Sequence, residues 1–172
     1  MKYFVFALLP EDKIFNEYQL LINKYSRELN TPSFEPHITI YKRIVGKEKP
    51  IIQRVQEAVE NTEKLQIELT EVSISTTYYQ CIFARVKVTP ELLNLHTNIG
   101  RQLGKKEAYM YMPHMSLVHG NLKSDKKFEL AENIKLGTTR FVADKVVIVS
   151  ADKNDPKTWG HVAEFFLSNK LP

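Results

Sequence analysis

The chain has one cysteine, Cys81, so an intramolecular disulfide and a cysteine-based zinc site are both excluded. That scarcity fits a reducing compartment, and a cytoplasmic or nuclear location is the expectation. Long apolar runs are also missing. The first such run, Tyr3 to Leu9, stops at Pro10, Glu11 and Asp12 with no small-residue cleavage pattern. It is too short to span a bilayer and lacks the marks of a signal peptide, and is read as a buried strand. Charge of one sign is not in large excess: 24 Lys and Arg against 20 Asp and Glu give +4. With no clustering of that excess, a nucleic-acid-coating protein is disfavoured, while a small anionic partner is permitted. Low-complexity segments and flexible linkers are absent too. What remains is 172 residues, 43% hydrophobic and 26% charged, the make-up of one globular domain with a real core.

Hydrophobic periodicity orders that core. Ile14, Tyr18, Leu21, Ile22 and Tyr25 recur at helical spacing over Glu11–Leu29. A short strand follows at His37–Tyr41, then a helix from Pro50 to about Glu63. Leu65, Ile67 and Leu69 alternate with polar residues as a half-buried strand does, and Tyr78–Val88 is expected to pair with it as a second strand. The second half repeats the plan: a helix over Pro90–Leu103, a strand at His114–Val118 and a helix around Asp125–Ile134. Strands near Phe141–Ser150 and His161–Leu167 close the chain, joined by a loop from Asp152 to Gly160. Helices interleaved with hairpin-like strand pairs make this an α+β protein.

One pattern stands above background. Pro36-His37-Ile38-Thr39-Ile40 and Pro113-His114-Met115-Ser116-Leu117 share the order Pro, His, apolar, hydroxyl, apolar. Composition alone predicts roughly 0.03 occurrences of its polar core. Residues two apart on a strand share a face, so His37 stands beside Thr39 and His114 beside Ser116, with the apolar residues anchored in the core. Two such strands side by side would bring two imidazoles and two hydroxyls to one cleft. An imidazole titrating near neutrality can serve as base or acid, and hydroxyls can donate to phosphoryl oxygens. Hydrolysis of a cyclic phosphodiester suits this set without a metal, a covalent nucleophile or a cofactor.

The paired motifs resemble those of the two-histidine phosphoesterase superfamily, most closely its plant and fungal cyclic phosphodiesterases. The likeness extends through Phe34-Glu35 before the first motif, Thr77 to Ala84, Tyr111-Met112 before the second, and the closing strands. It implies a bilobal fold, two pseudo-symmetric antiparallel sheets flanked by helices around a central cleft, within a single catalytic domain over 1–172. It further implies metal-independent opening of 2′,3′-cyclic nucleotides, or of ADP-ribose 1″,2″-cyclic phosphate from tRNA splicing, to a phosphomonoester by a monomer. His37 and His114 are then the catalytic pair, with Thr39 and Ser116 as phosphate contacts. His114 is assigned as base and His37 as acid. Relatives often carry Tyr where this chain has His119, before Gly120, so base packing there would differ.

Other residues are weighed against plainer roles. His119, Tyr79 and Trp159 are candidate substrate contacts, Trp159 because a loop indole has little core to join. Tyr78 is most simply packing, His96 a structural member of a helical stripe, and His161 a surface or structural residue. Lys42 and Arg43 end the first motif's strand, where phosphate attraction competes with simple solvation. Two other functions fit less well: a phosphodiesterase for the cyclic ends of RNA, and a non-catalytic RNA-binding module that keeps the cleft. A membrane partner is not expected.

Overall fold

The computed structural model describes residues 3–105, 110–151 and 158–169. The elements run β1 (Tyr3–Pro10), α1 (Asp12–Leu29), β2 (Ile38–Ile44), α2 (Glu48–Val59), β3 (Leu65–Ile74), β4 (Ile82–Val86), α3 (Pro90–Gln102), β5 (His114–Val118), α4 (Ser124–Asn133), β6 (Arg140–Ala151) and β7 (Gly160–Phe166). Most of the expected stripes hold. Ile14, Tyr18, Ile22 and Tyr25 are the buried residues of α1. Leu92, Leu95 and Ile99 are buried on α3, which opens with Pro90 in its first turn and Thr89 accepting from the Leu92 amide at 3.3 Å. None of the helices among the described residues is long and apolar enough to cross a membrane.

The order is a β-α-β-α-β unit run twice, β1 to β3 and β4 to β6, with β7 appended. Each unit exchanges its last strand. Antiparallel β2-β1-β6 forms one half of the sheet and β5-β4-β3 the other. The two expected sheets are therefore halves of one continuous sheet. They meet where β3 runs alongside β6 and where Ile38 of β2 pairs with Met115 of β5. Helices cross over as well, α1 packing against β5 and α3 against β2. Neither half completes its core alone, because β3 and β6 bury their apolar residues in the opposite unit.

Strand alternation separates two faces. Phe4, Phe6, Leu8, Val146 and Ile148 enter the main core beneath the helices. Val5, Ala7, Leu9, Val147 and Val149 face the other way and floor a chamber on the concave side.

Two expectations need correcting. Tyr78–Gln80 belongs to a turn, and β4 begins only at Ile82. The Ser75 hydroxyl donates to the Gln80 carbonyl (2.7 Å) and accepts from the Thr77 amide (3.1 Å), satisfying by side chain what a strand ladder would otherwise bond. α2 also begins at Glu48, before Pro50, and ends at Val59, short of Glu63. The Asp152–Gly160 loop lies outside the described residues up to position 157.

Candidate active site

The seam between the halves builds the site. Carrying the antiparallel register one residue to either side of the Ile38–Met115 pair sets His37 across from Ser116 and Thr39 across from His114. His37 lies just before β2, and His114 is the first residue of β5. The local arrangement is the same at both. The His37 Nδ1–H donates to the Glu35 carbonyl at 2.7 Å, and the His114 Nδ1–H to the Met112 carbonyl at 2.9 Å. Each bond spans two residues and sets the tautomer, leaving Nε2 with its lone pair for the cleft. Burial lowers both pKa values, though the bonds to Glu35 and Met112 oppose it.

A cleft of about 610 Å³ gathers His37, Thr39, His114 and Ser116, together with His119, Tyr79 and Trp159. The Ser116 hydroxyl donates to the Tyr79 carbonyl at 2.8 Å. Lys42 and Arg43 line the same cleft, although consecutive residues of a regular strand face opposite ways. The register slips between the Phe4–Ile44 and Phe6–Tyr41 pairs, and Arg43 takes a positive φ of 59°. That bulge turns both cations to one side.

His37 and Trp159 also border a second chamber of about 390 Å³, floored by the concave aliphatic face and walled by Phe34. Trp159 meets His37 edge-on, ring centroids 6.2 Å apart, and its buried indole N–H has no partner. His119 is only 2% exposed and stacks on Phe34 at 3.6 Å, so that ring face is already covered. Burial, then His37 and His114, push its pKa down to about 3, and it stays neutral. Gly120 beyond it has φ 152°, and a Cβ there would stand 3.1 Å from Thr31 Cγ2. Tyr78 sits 6.3 Å from His119 and packs with it. His96 lies off the cleft, its Nδ1–H donating to the Ile40 carbonyl at 2.8 Å, between Tyr41 and Tyr111.

The structure adds two groups next to the site. Gln80 lines the cleft with its amide nitrogen against the His114 ring. His161 on β7 bonds Glu35 (2.8 Å) and Glu164 (2.9 Å), which raise its pKa to about 9 while the bond from His161 lowers that of Glu35. This pair ties the Glu35 segment, whose carbonyl holds His37, to a strand 126 positions away. Because the folded value lies above that of the unfolded chain, His161 stabilises fully below about pH 6.5 and loses its effect as pH rises toward 9. His161→Gln should therefore lower the melting temperature most near pH 6 and hardly at all above pH 9. An equal loss at both, in thermal melts, would remove the ion pair from the account.

Nearly the whole chain, residues 6–165, matches one family, cyclic phosphodiesterase-like protein. The chain belongs to that family. Among curated relatives, a cyclic phosphodiesterase of Arabidopsis thaliana is 23% identical over 168 residues, covering 94% of this chain and 92% of its own. Solved structures share the fold. One described as a phosphoesterase superposes with a TM-score of 0.68 at 10% identity, covering 98% of this chain and 99% of its own. LigT of E. coli complexed with 3′-AMP gives 0.63 at 10% identity, with the same two coverages. This cyclic phosphodiesterase-like protein is thus a phosphodiesterase of the two-histidine phosphoesterase superfamily, and its two motifs sit where the fold's halves meet.

Proposed function

We propose that the enzyme opens cyclic phosphodiesters of small nucleotide-derived substrates, 2′,3′-cyclic nucleotides or ADP-ribose 1″,2″-cyclic phosphate, to phosphomonoesters without a metal. The observation that carries this is the matched pair of Nδ1–carbonyl bonds, which leaves two imidazole Nε2 atoms for one cleft beside two hydroxyls. Water attacks phosphorus as His114 Nε2 takes its proton. The P–O bond of the ring then breaks, and protonated His37 gives its Nε2 proton to the leaving oxygen. Protons exchanged with solvent restore the pair. Thr39 donates to a phosphoryl oxygen, and Ser116 does so by exchanging the Tyr79 carbonyl for the phosphate.

Burial lowers the His114 pKa, which favours the neutral form a base requires. Burial lowers the His37 pKa as well, but the bond to the Glu35 carbonyl and the Glu35 charge oppose it, and an anionic substrate favours the imidazolium further. The leaving oxygen stays on the ribose, so the nucleoside lies on the His37 side, toward Trp159 and the second chamber. Trp159 and Tyr79 are its candidate contacts, while His119 backs the wall through Phe34.

Phosphorus NMR of products from chelator-treated protein tests this reading. The panel comprises cyclic mononucleotides, ADP-ribose cyclic phosphate and an RNA ending in a 2′,3′-cyclic phosphate. Opening of the small substrates in the presence of chelator is expected. Activity that returns only with zinc or magnesium would sink the metal-free mechanism. A preference for the RNA, weakening steeply with salt, would transfer the function to RNA ends.

A further inference from the structure

The two histidines share their backbone bond but not their neighbours. Gln80 Nε2 lies 3.3 Å from His114 Nδ1 and 3.2 Å from His114 Nε2. A donor in line with one ring lone pair would stand much farther from the other nitrogen. Near-equal distances therefore place the amide over the imidazole face. Nδ1 is already committed to the Met112 carbonyl, and the in-plane lone pair of Nε2 stays open. Phe83 meets the ring at 5.2 Å with planes 68° apart. Gln80 is held in turn: its carbonyl oxygen accepts from the Thr77 hydroxyl at 3.4 Å and its backbone carbonyl from Ser75 at 2.7 Å.

We propose that Gln80 is the positioning residue of His114: its carboxamide N–H, seated over the ring by the Ser75–Thr77 turn, holds the imidazole with Nε2 exposed and opposes a positive charge on it. No carboxamide makes this contact with His37 among the described residues, so the contact disfavours the cation on one imidazole of a symmetric pair and not on the other. Among the described residues, the other charged or titratable groups around His114 are His37, Lys42 and Arg43 at β2, Tyr3, Tyr79 and Tyr111 lining the cleft, Arg85 opposite it on β4, and His119 beyond its own strand. Arg85 is engaged by Glu71 and Ser73. None of these offers a negative charge to the ring, so the sign of the Gln80 contact is not masked.

This inference deepens the reading of His114 as base, and its test separates the two. His114 is titrated by NMR with labelled histidine in wild type, Gln80→Leu and Gln80→Glu, alongside the pH profile of kcat/KM for a 2′,3′-cyclic nucleotide. Loss of the N–H dipole in Gln80→Leu should raise the His114 pKa by about half to one unit, the range one hydrogen bond supports. Gln80→Glu, nearly isosteric and safe for folding, should raise it further. The acidic limb of the rate profile should follow in the same order. An unchanged His114 pKa in both variants would overturn the role of Gln80. If the pKa rises but the basic limb follows it, Gln80 stands and His114 is the acid.

Discussion

His114→Ala and His37→Ala should each lower turnover of a cyclic nucleotide by about 10²- to 10⁴-fold, the usual contribution of one general acid or base. Steady-state rates with folded protein check this. The two losses should not multiply, because base and acid act in one displacement and the second removal takes little from a step already uncatalysed. Structural collapse is not the cause anticipated. Each ring hangs from its own backbone by the Nδ1 bond, and its other nitrogen faces the cleft, so Ala leaves the core intact. Near-normal turnover in either variant would take that imidazole out of the mechanism.

Ile38→Ala should affect folding and activity together. Ile38 is fully buried and forms the described pair that joins β2 to β5. Truncating such a residue costs about 2–5 kcal/mol, which for a chain of this size is about 5–15 °C of melting temperature. The same residue separates His37 from Thr39 and fixes which residues stand opposite His114 and Ser116. Activity measured well below the melting transition should therefore fall too, while Ile148→Ala, equally buried but away from the seam, should lower stability with little effect on turnover. Equal retention of activity by both would show that the seam does not set the geometry.

The sequence carried the parts of this account that depend on local pattern. Apolar stripes in Asp12–Leu29 and Pro90–Gln102 place both helices, and the repeated Pro-His-x-hydroxyl pattern places both strands that bring the paired imidazoles to the cleft. Features made by tertiary pairing were not legible. The exchange of β3 and β6 between units leaves no mark in either strand's own residues, so two sheets were the natural expectation where one is found. His161 and Glu35 meet across 126 positions, and an exposed-looking histidine gave no sign of a clamp on His37. Gln80 was hidden by its neighbours. Tyr78, Tyr79, Ile82 and Phe83 read as one long strand, and only Ser75 and Thr77 ahead of them signal the turn that aims its amide. His119 lies at the cleft as its position after β5 suggests, but Phe34 already covers one of its faces.

Whether two imidazoles of opposite protonation share one displacement is decided by the pH dependence of kcat/KM with a 2′,3′-cyclic nucleotide. Burial lowers both pKa values in the free enzyme, so a bell with its maximum below pH 6.5 is predicted. The residual rate of His114→Ala should lose the acidic limb, and that of His37→Ala the basic one. A profile flat through neutrality in the wild type, or a bell that keeps both limbs in both variants, would contradict it.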